Sequence, residues 1–210
     1  MRTPFPFTAL DIESTGTDPY EDQIVELGLA EFSPHLDQPK TLARRFKPGL
    51  PISKGAAAVH GITNEAVQGL KPFAPSAHKL LQYLQARIIV GYNLYAFDCR
   101  MLAAEFARAG IPRPFESIVF IDVYPFVKDD YGQKRRPASK SLEDQCAWFG
   151  ISLEQAHSAA QDAEATGWLL LAMMQWPIGN PLIPCIERVI ELQSGLRRRL
   201  ETPVQLEMGV

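Results

Sequence analysis

The sequence predicts an α/β domain built on a mixed sheet. Two observations lead there: three strand-like segments with short connections open the chain, and helices and strands alternate after them. A third, the length of 210 residues, suits one compact domain with an appendage, and no internal repeat or low-complexity tract interrupts it.

Residues 7–12 (FTALDI) are apolar on both faces, as a central buried strand requires. A turn at Thr17-Asp18-Pro19-Tyr20 precedes a second strand, IVELGLAEF, at Ile24–Phe32. Residues 41–47 form a third, stopped by Pro48-Gly49; the short links predict an antiparallel meander. Leu80, Leu81 and Leu84 mark a helix over residues 75–85. A strand at 88–90 follows, then a helix over 96–109 ended by Gly110 and Pro112, then a strand at 119–123. Ser141-Leu142-Glu143-Asp144 reads as the capping box of a helix running to Phe149, with Gly150 behind it. The last strong helix covers 159–175 and stops at Pro177. Gly179, Pro181 and Pro184 then interrupt the chain before a helix from about 186 to 200, so residues 1–176 are expected to be the main domain and 177–210 a helical tail. Arg197-Arg198-Arg199 complement that helix's dipole, and the tail's Ile183, Ile186, Val189, Ile190 and Leu196 are expected to pack back on the domain rather than to dock a partner.

Composition narrows the function classes. Hydrophobic residues at 46% and charged residues at 21% exclude wholesale disorder. A net charge of -3 excludes a charge-driven coat for nucleic acid, but not an enzyme whose site is a carboxylate cluster that binds cations. No apolar run approaches a membrane span and Met1-Arg2-Thr3-Pro4 opens no signal peptide, so a cytoplasmic location away from membranes is expected. Cys99, Cys146 and Cys185 are widely separated and lack a CxxC, which reads as reduced thiols.

Three short stretches carry chemistry. Asp11 and Glu13 alternate onto one side of a strand, where two carboxylates repel unless a cation lies between them. Asp98 follows the 88–90 strand at its carboxyl end, where ligand sites of open α/β sheets gather. His157-Ser158-Ala159-Ala160-Gln161-Asp162 has the S-x-x-Q spacing of a capping box, which starts a helix at Ser158, leaves His157 on a mobile connection and aims Asp162 from the first turns. A serine hydrolase is set aside because no GxSxG elbow exists, and a Cys99 nucleophile because no histidine neighbours it.

In this order the stretches resemble the DnaQ-like, or DEDDh, 3'-5' exonucleases of the RNase H-like fold. DIESTGTDP with IVELGLAEF matches the first motif, GYNLYAFDCRML the second and HSAAQDAEAT the third. PISKGAAAVHGITNEAV resembles the loop with an HGIT signature found in the polymerase-proofreading branch (the polymerase III epsilon type), and KSLEDQCAWFGI the helix before the third motif. The resemblance runs from about residue 5 to 176.

What it implies is a five-stranded mixed sheet flanked by helices, with metal ligands at Asp11, Glu13, Asp98 and Asp162 and a catalytic histidine at His157. All-oxygen ligands suit two Mg²⁺ or Mn²⁺ ions rather than zinc. The expected reaction is two-metal hydrolysis from a DNA 3' end, single-stranded or frayed, releasing nucleoside 5'-monophosphates. Thr15 and Gly16 are expected to offer backbone groups to the terminal nucleotide, with His60, Asn93 and Phe97 as further contacts. Lys134, Arg135 and Arg136 form a basic loop, a candidate contact for the phosphate backbone. An exoribonuclease of the RNase T or oligoribonuclease type is the nearest alternative, and a non-catalytic nucleic-acid-binding or polymerase-docking module a more distant one; a DNA polymerase or repair partner is the expected company.

Overall fold

The structure, a computed structural model, describes residues 3–85, 87–116, 118–127, 137–153, 157–175, 183–184 and 186–189. It is the expected α/β arrangement: a five-stranded sheet in the order β3-β2-β1-β4-β5. The strands are β1 Phe7–Ser14, β2 Ile24–Phe32, β3 Lys40–Arg45, β4 Ile88–Gly91 and β5 Val119–Asp122. β2 runs antiparallel to both β1 and β3, whereas β1, β4 and β5 run parallel. A meander therefore makes one half of the sheet and crossovers the other, with β1 at the centre.

The helices are α1 Lys54–His60, α2 Asn64–Val67, α3 Ala77–Gln85, α4 Asp98–Arg108, α5 Leu142–Phe149 and α6 Ala159–Met174. Alternation along β1 sorts its side chains between two cores. Phe7 and Ala9 pack with Ala163, Leu169, Leu170 and Met173 of α6 and Cys146 of α5. Leu10 and Ile12 pack with Leu80 and Leu84 of α3 and Met101, Leu102 and Phe106 of α4. Odd positions of β1 thus face α6, which puts Asp11 and Glu13 on the α6 side. Ile186 (2% exposed) and Val189 (7%) also belong to the α6-side core, so this part of the tail packs on the domain.

Several boundaries differ from the sequence expectations. β1 continues to Ser14, which keeps Glu13 inside the strand, and its pairing shifts register between Glu13 and Ser14. β3 begins one residue sooner and ends at Arg45. α4 starts at Asp98 because residues 93–97 are a turn: the Asn93 carbonyl accepts from Ala96 and Phe97 N–H. The HGIT stretch is two short helices rather than a loop, capped by Ser53 and Thr63. Ser141 caps α5 as expected, accepting from Asp144 N–H, but the Asp144 carboxylate returns to Ser139 Oγ, which itself receives Ser141 N–H. No helix among the described residues is long and apolar enough to cross a membrane.

Candidate metal-binding active site

Strand alternation gives Asp11 and Glu13 a common face, and α6 closes over that face. The approach depends on Gly28, paired opposite Asp11 on β2: a Cβ there would lie 2.0 Å from the Ala159 carbonyl carbon and oxygen. Only a residue without a side chain lets the start of α6 come this close. Asp162, in the first turn of α6, is thereby delivered to the strand pair. One ligand oxygen from each of Asp11, Glu13 and Asp162 lies within 4.8 Å of the others.

Asp98 stands beside this triad at the start of α4, only 3% exposed. Its Oδ1 is buried with no hydrogen-bond partner among the described residues. Such an orphaned oxygen is costly in a finished structure and needs an explanation. A cation is the simplest one, since it would satisfy Oδ1 and relieve the carboxylates at once.

The electrostatics agree. Burial, then Asp98, Asp162 and other nearby acids, hold Asp11 well above the usual carboxylate range. Burial followed by Asp162 and Glu26 pushes Glu13 up to about 8. Burial raises Asp162 to about 6, against the His157 N–H and the histidine's charge, which lower it. Asp98 is also raised, by burial foremost. Like charges are gathered here at a cost, and hard all-oxygen donors of this kind fit Mg²⁺ or Mn²⁺.

His157 sits at the site's exposed edge with a left-handed backbone, φ 69°, uncommon for a residue bearing a side chain. It is not loosely attached: its N–H donates to Asp162 Oδ2 at 3.0 Å. The expected Ser158 cap is absent. Ser158 holds the N-cap position, but its hydroxyl makes no cap hydrogen bond. The carboxylate of Glu26 on β2 takes its place, accepting from Ala159 N–H at 3.2 Å. Sequence reading missed Glu26, whose partners lie far away in the chain.

The expected nucleotide contacts fare unevenly. Thr15 is wholly buried, its N–H donating to Gln23 and its carbonyl accepting from Ser53, so its backbone is already engaged within the protein. His60 Nδ1 accepts from Ile62 N–H, which makes Nε2 the donor to the Ser14 carbonyl at 3.1 Å. Nε2 thus tethers the end of α1 to β1 while Nδ1 holds the Ile62 N–H that follows it, and with both nitrogens engaged only the ring faces remain for a nucleotide. Burial also lowers the His60 pKa, which favours this neutral form. Gly16 is half-buried against the Asp22 carboxylate, Asn93 is exposed at the turn, and Phe97 packs partly into the α3–α4 core. Lys134, Arg135 and Arg136 lie outside the described residues.

A carboxylate triad shared by the central strand β1 and α6 of such a sheet defines a class, and the comparisons agree with it. The chain belongs to the exonuclease family of the RNase_T model, which matches residues 8–170, and is DnaQ-like within the RNase H-like fold. It is 28% identical over 178 residues to the PolC-type DNA polymerase III of Streptococcus suis (strain 98HAH33), covering 80% of this chain and 11% of that one. The PolC-type polymerase of Streptococcus mutans serotype c is 25% identical over 173 residues, with the same coverage. Among solved structures, E. coli exonuclease I in complex with a dT13 oligonucleotide superposes with a TM-score of 0.69 at 19% identity, covering 82% of this chain and 41% of that chain. A zinc-bound E. coli exonuclease I complex with single-stranded DNA gives 0.69 at 21%, with the same coverage. Exonuclease I from Methylocaldum szegediense gives 0.70 at 17%, covering 88% and 43%. The chain thus spans about a tenth of those polymerases and under half of the exonuclease I chains.

Proposed function

We propose that this chain is a divalent-metal-dependent 3'-5' exonuclease that hydrolyses phosphodiester bonds from the 3' end of DNA and releases nucleoside 5'-monophosphates. The observation that carries the reading is the triad of Asp11, Glu13 and Asp162 beside the orphaned Asp98 oxygen. These four residues would hold two cations, which supply charge neutralisation and polarise the scissile phosphate. His157, at the exposed edge, would accept the proton of the attacking water, a role suited to an imidazole at neutral pH. The hydrogen bond from its N–H to Asp162 ties the base to a ligand, so the two move together.

DNA is favoured over RNA because the curated relatives are DNA polymerases and the similar solved structures include complexes with DNA oligonucleotides. The same relatives support a DNA polymerase as partner. Residues 1–176 are the proposed exonuclease unit and 177–210 the proposed tail. Incubating 3'-labelled single-stranded DNA and RNA of equal sequence with Mg²⁺ or Mn²⁺ tests this. Stepwise release of mononucleotides from DNA, lost on adding EDTA, is expected. Faster RNA degradation would move the chain to the exoribonuclease reading, and no hydrolysis of either polymer would refute both.

A further inference from the structure

Glu26 is a buried acid next to the site, yet it differs from the four proposed ligands in having both oxygens committed. It is 4% exposed near the start of β2, with Glu13 opposite it on β1 and Arg45 opposite it on β3. Oε1 accepts from Arg45 Nε at 2.7 Å, and Oε2 accepts from Ala159 N–H at 3.2 Å. A carboxylate at a helix N-terminus satisfies an orphan donor and complements the dipole. Beside Glu13 the same charge is unwelcome, and Arg45 offsets it.

We propose that Glu26, neutralised by Arg45, is a positioning residue: it clamps the first N–H of α6 to the sheet and so sets the height from which Asp162 and His157 enter the site. Three observations converge on this. Ser158 makes no cap bond, so Glu26 takes the place of the local cap. Gly28, two residues along the same face of β2, meets the Ala159 carbonyl so closely that a Cβ would lie 2.0 Å away. The helix end is therefore pulled in at Glu26 and stopped at Gly28. Asp162 is in that first turn, donating its N–H to the Ser158 carbonyl and accepting from His157 N–H. A shift of Ala159 passes directly to both residues, and active sites tolerate only about 0.5 Å of such error.

The inference rests on the exonuclease reading, so wild-type hydrolysis of 3'-labelled single-stranded DNA is measured first; its failure refutes that reading alone. Glu26→Ala and Glu26→Gln are then compared by kcat and KM, by Mn²⁺ binding to the isolated protein and by amide exchange at Ala159. Glu26→Ala is expected to lose about 10–100-fold in kcat or Mn²⁺ affinity, as loss of an outer-shell partner does. KM should stay within about threefold, and the Ala159 amide should exchange faster. Glu26→Gln, whose amide oxygen still accepts from Ala159, should restore most of both. Wild-type kcat and Mn²⁺ affinity in Glu26→Ala would overturn the proposal, as would Glu26→Gln being equally impaired with Ala159 still protected. Should Glu26→Ala fail to fold, Arg45→Met at a half-exposed side chain (48%) carries the test: kcat falls severalfold, or the proposal fails.

Discussion

At the scale of single residues the site is a place where repulsion is tolerated. Burial raises the carboxyls of Asp11, Glu13, Asp98 and Asp162, and acidic neighbours raise the first three further. Asp11→Asn should therefore abolish hydrolysis yet raise the metal-free Tm by about 2–4 °C, the equivalent of roughly 1 kcal/mol in a chain of this size. Differential scanning calorimetry with EDTA, run beside the nuclease assay, checks both; a lower Tm would make Asp11 a structural carboxylate. His157→Ala should slow turnover while leaving Mn²⁺ binding near wild type, which titration calorimetry reads. The pH dependence has a definite sign. Folding raises these pKa values, so the metal-free fold takes up protons, and its stability is fullest below the unfolded carboxylate range near 4. It is lost as pH rises through about 6 for Asp162 and about 8 for Glu13. Metal-free Tm should fall from pH 5 to 8, and Mg²⁺ should restore more at pH 8, because ligands bind deprotonated. A flat metal-free profile would contradict the clustered charges. Asp11 and Glu13 were legible in the sequence because strand alternation is local. Glu26 was not, because it looks like any polar residue of VELG until Arg45 and Ala159 reach it.

At the scale of elements, α6 is fitted to the sheet by two glycines on opposite partners. Gly28 on β2 admits the Ala159 backbone, and Gly167 on α6 admits the Phe32 ring, to which a Cβ would come within 2.1 Å. That ring stacks on Phe7 at 4.7 Å and meets Trp168 edge-on at 5.2 Å, so it cannot easily retreat. Gly167→Ala should cost about 1–3 kcal/mol by overpacking, with kcat little changed. Gly28→Ala should cost a similar amount and also lower kcat at least tenfold, because it lifts the end that carries Asp162. Denaturant unfolding and steady-state kinetics on the pair separate the two effects; equal losses of kcat would remove Gly28's special place. β1, β2 and α6 were readable from apolar runs and stops. α1 was not, because KGAAAVH buries none of its residues and its cap is a single serine.

At the scale of the whole molecule, the meander-then-alternation pattern gave away the mixed sheet, since short links allow only antiparallel neighbours and helical links allow parallel ones. The packing of the tail was legible in part, because Ile186 and Val189 lie three apart on one helical face of an apolar set, and both are buried against the α6-side core. Their burial has a measurable consequence. A chain ending at residue 176 should lose up to roughly 3–6 kcal/mol, two buried aliphatic side chains at about 1.5–3 kcal/mol each. Urea denaturation of the shortened and full chains measures it; an unchanged midpoint would mean these contacts add nothing.

The proposed triad joins residues far apart in the chain, Asp11 and Glu13 on the first strand and Asp162 on α6. During synthesis, β1 and its neighbours emerge long before α6, and no subset of earlier elements contains the triad. A growing chain whose α6 is not yet made therefore lacks the complete proposed site. On the proposed reading, cutting competence is completed in one step, when α6 docks.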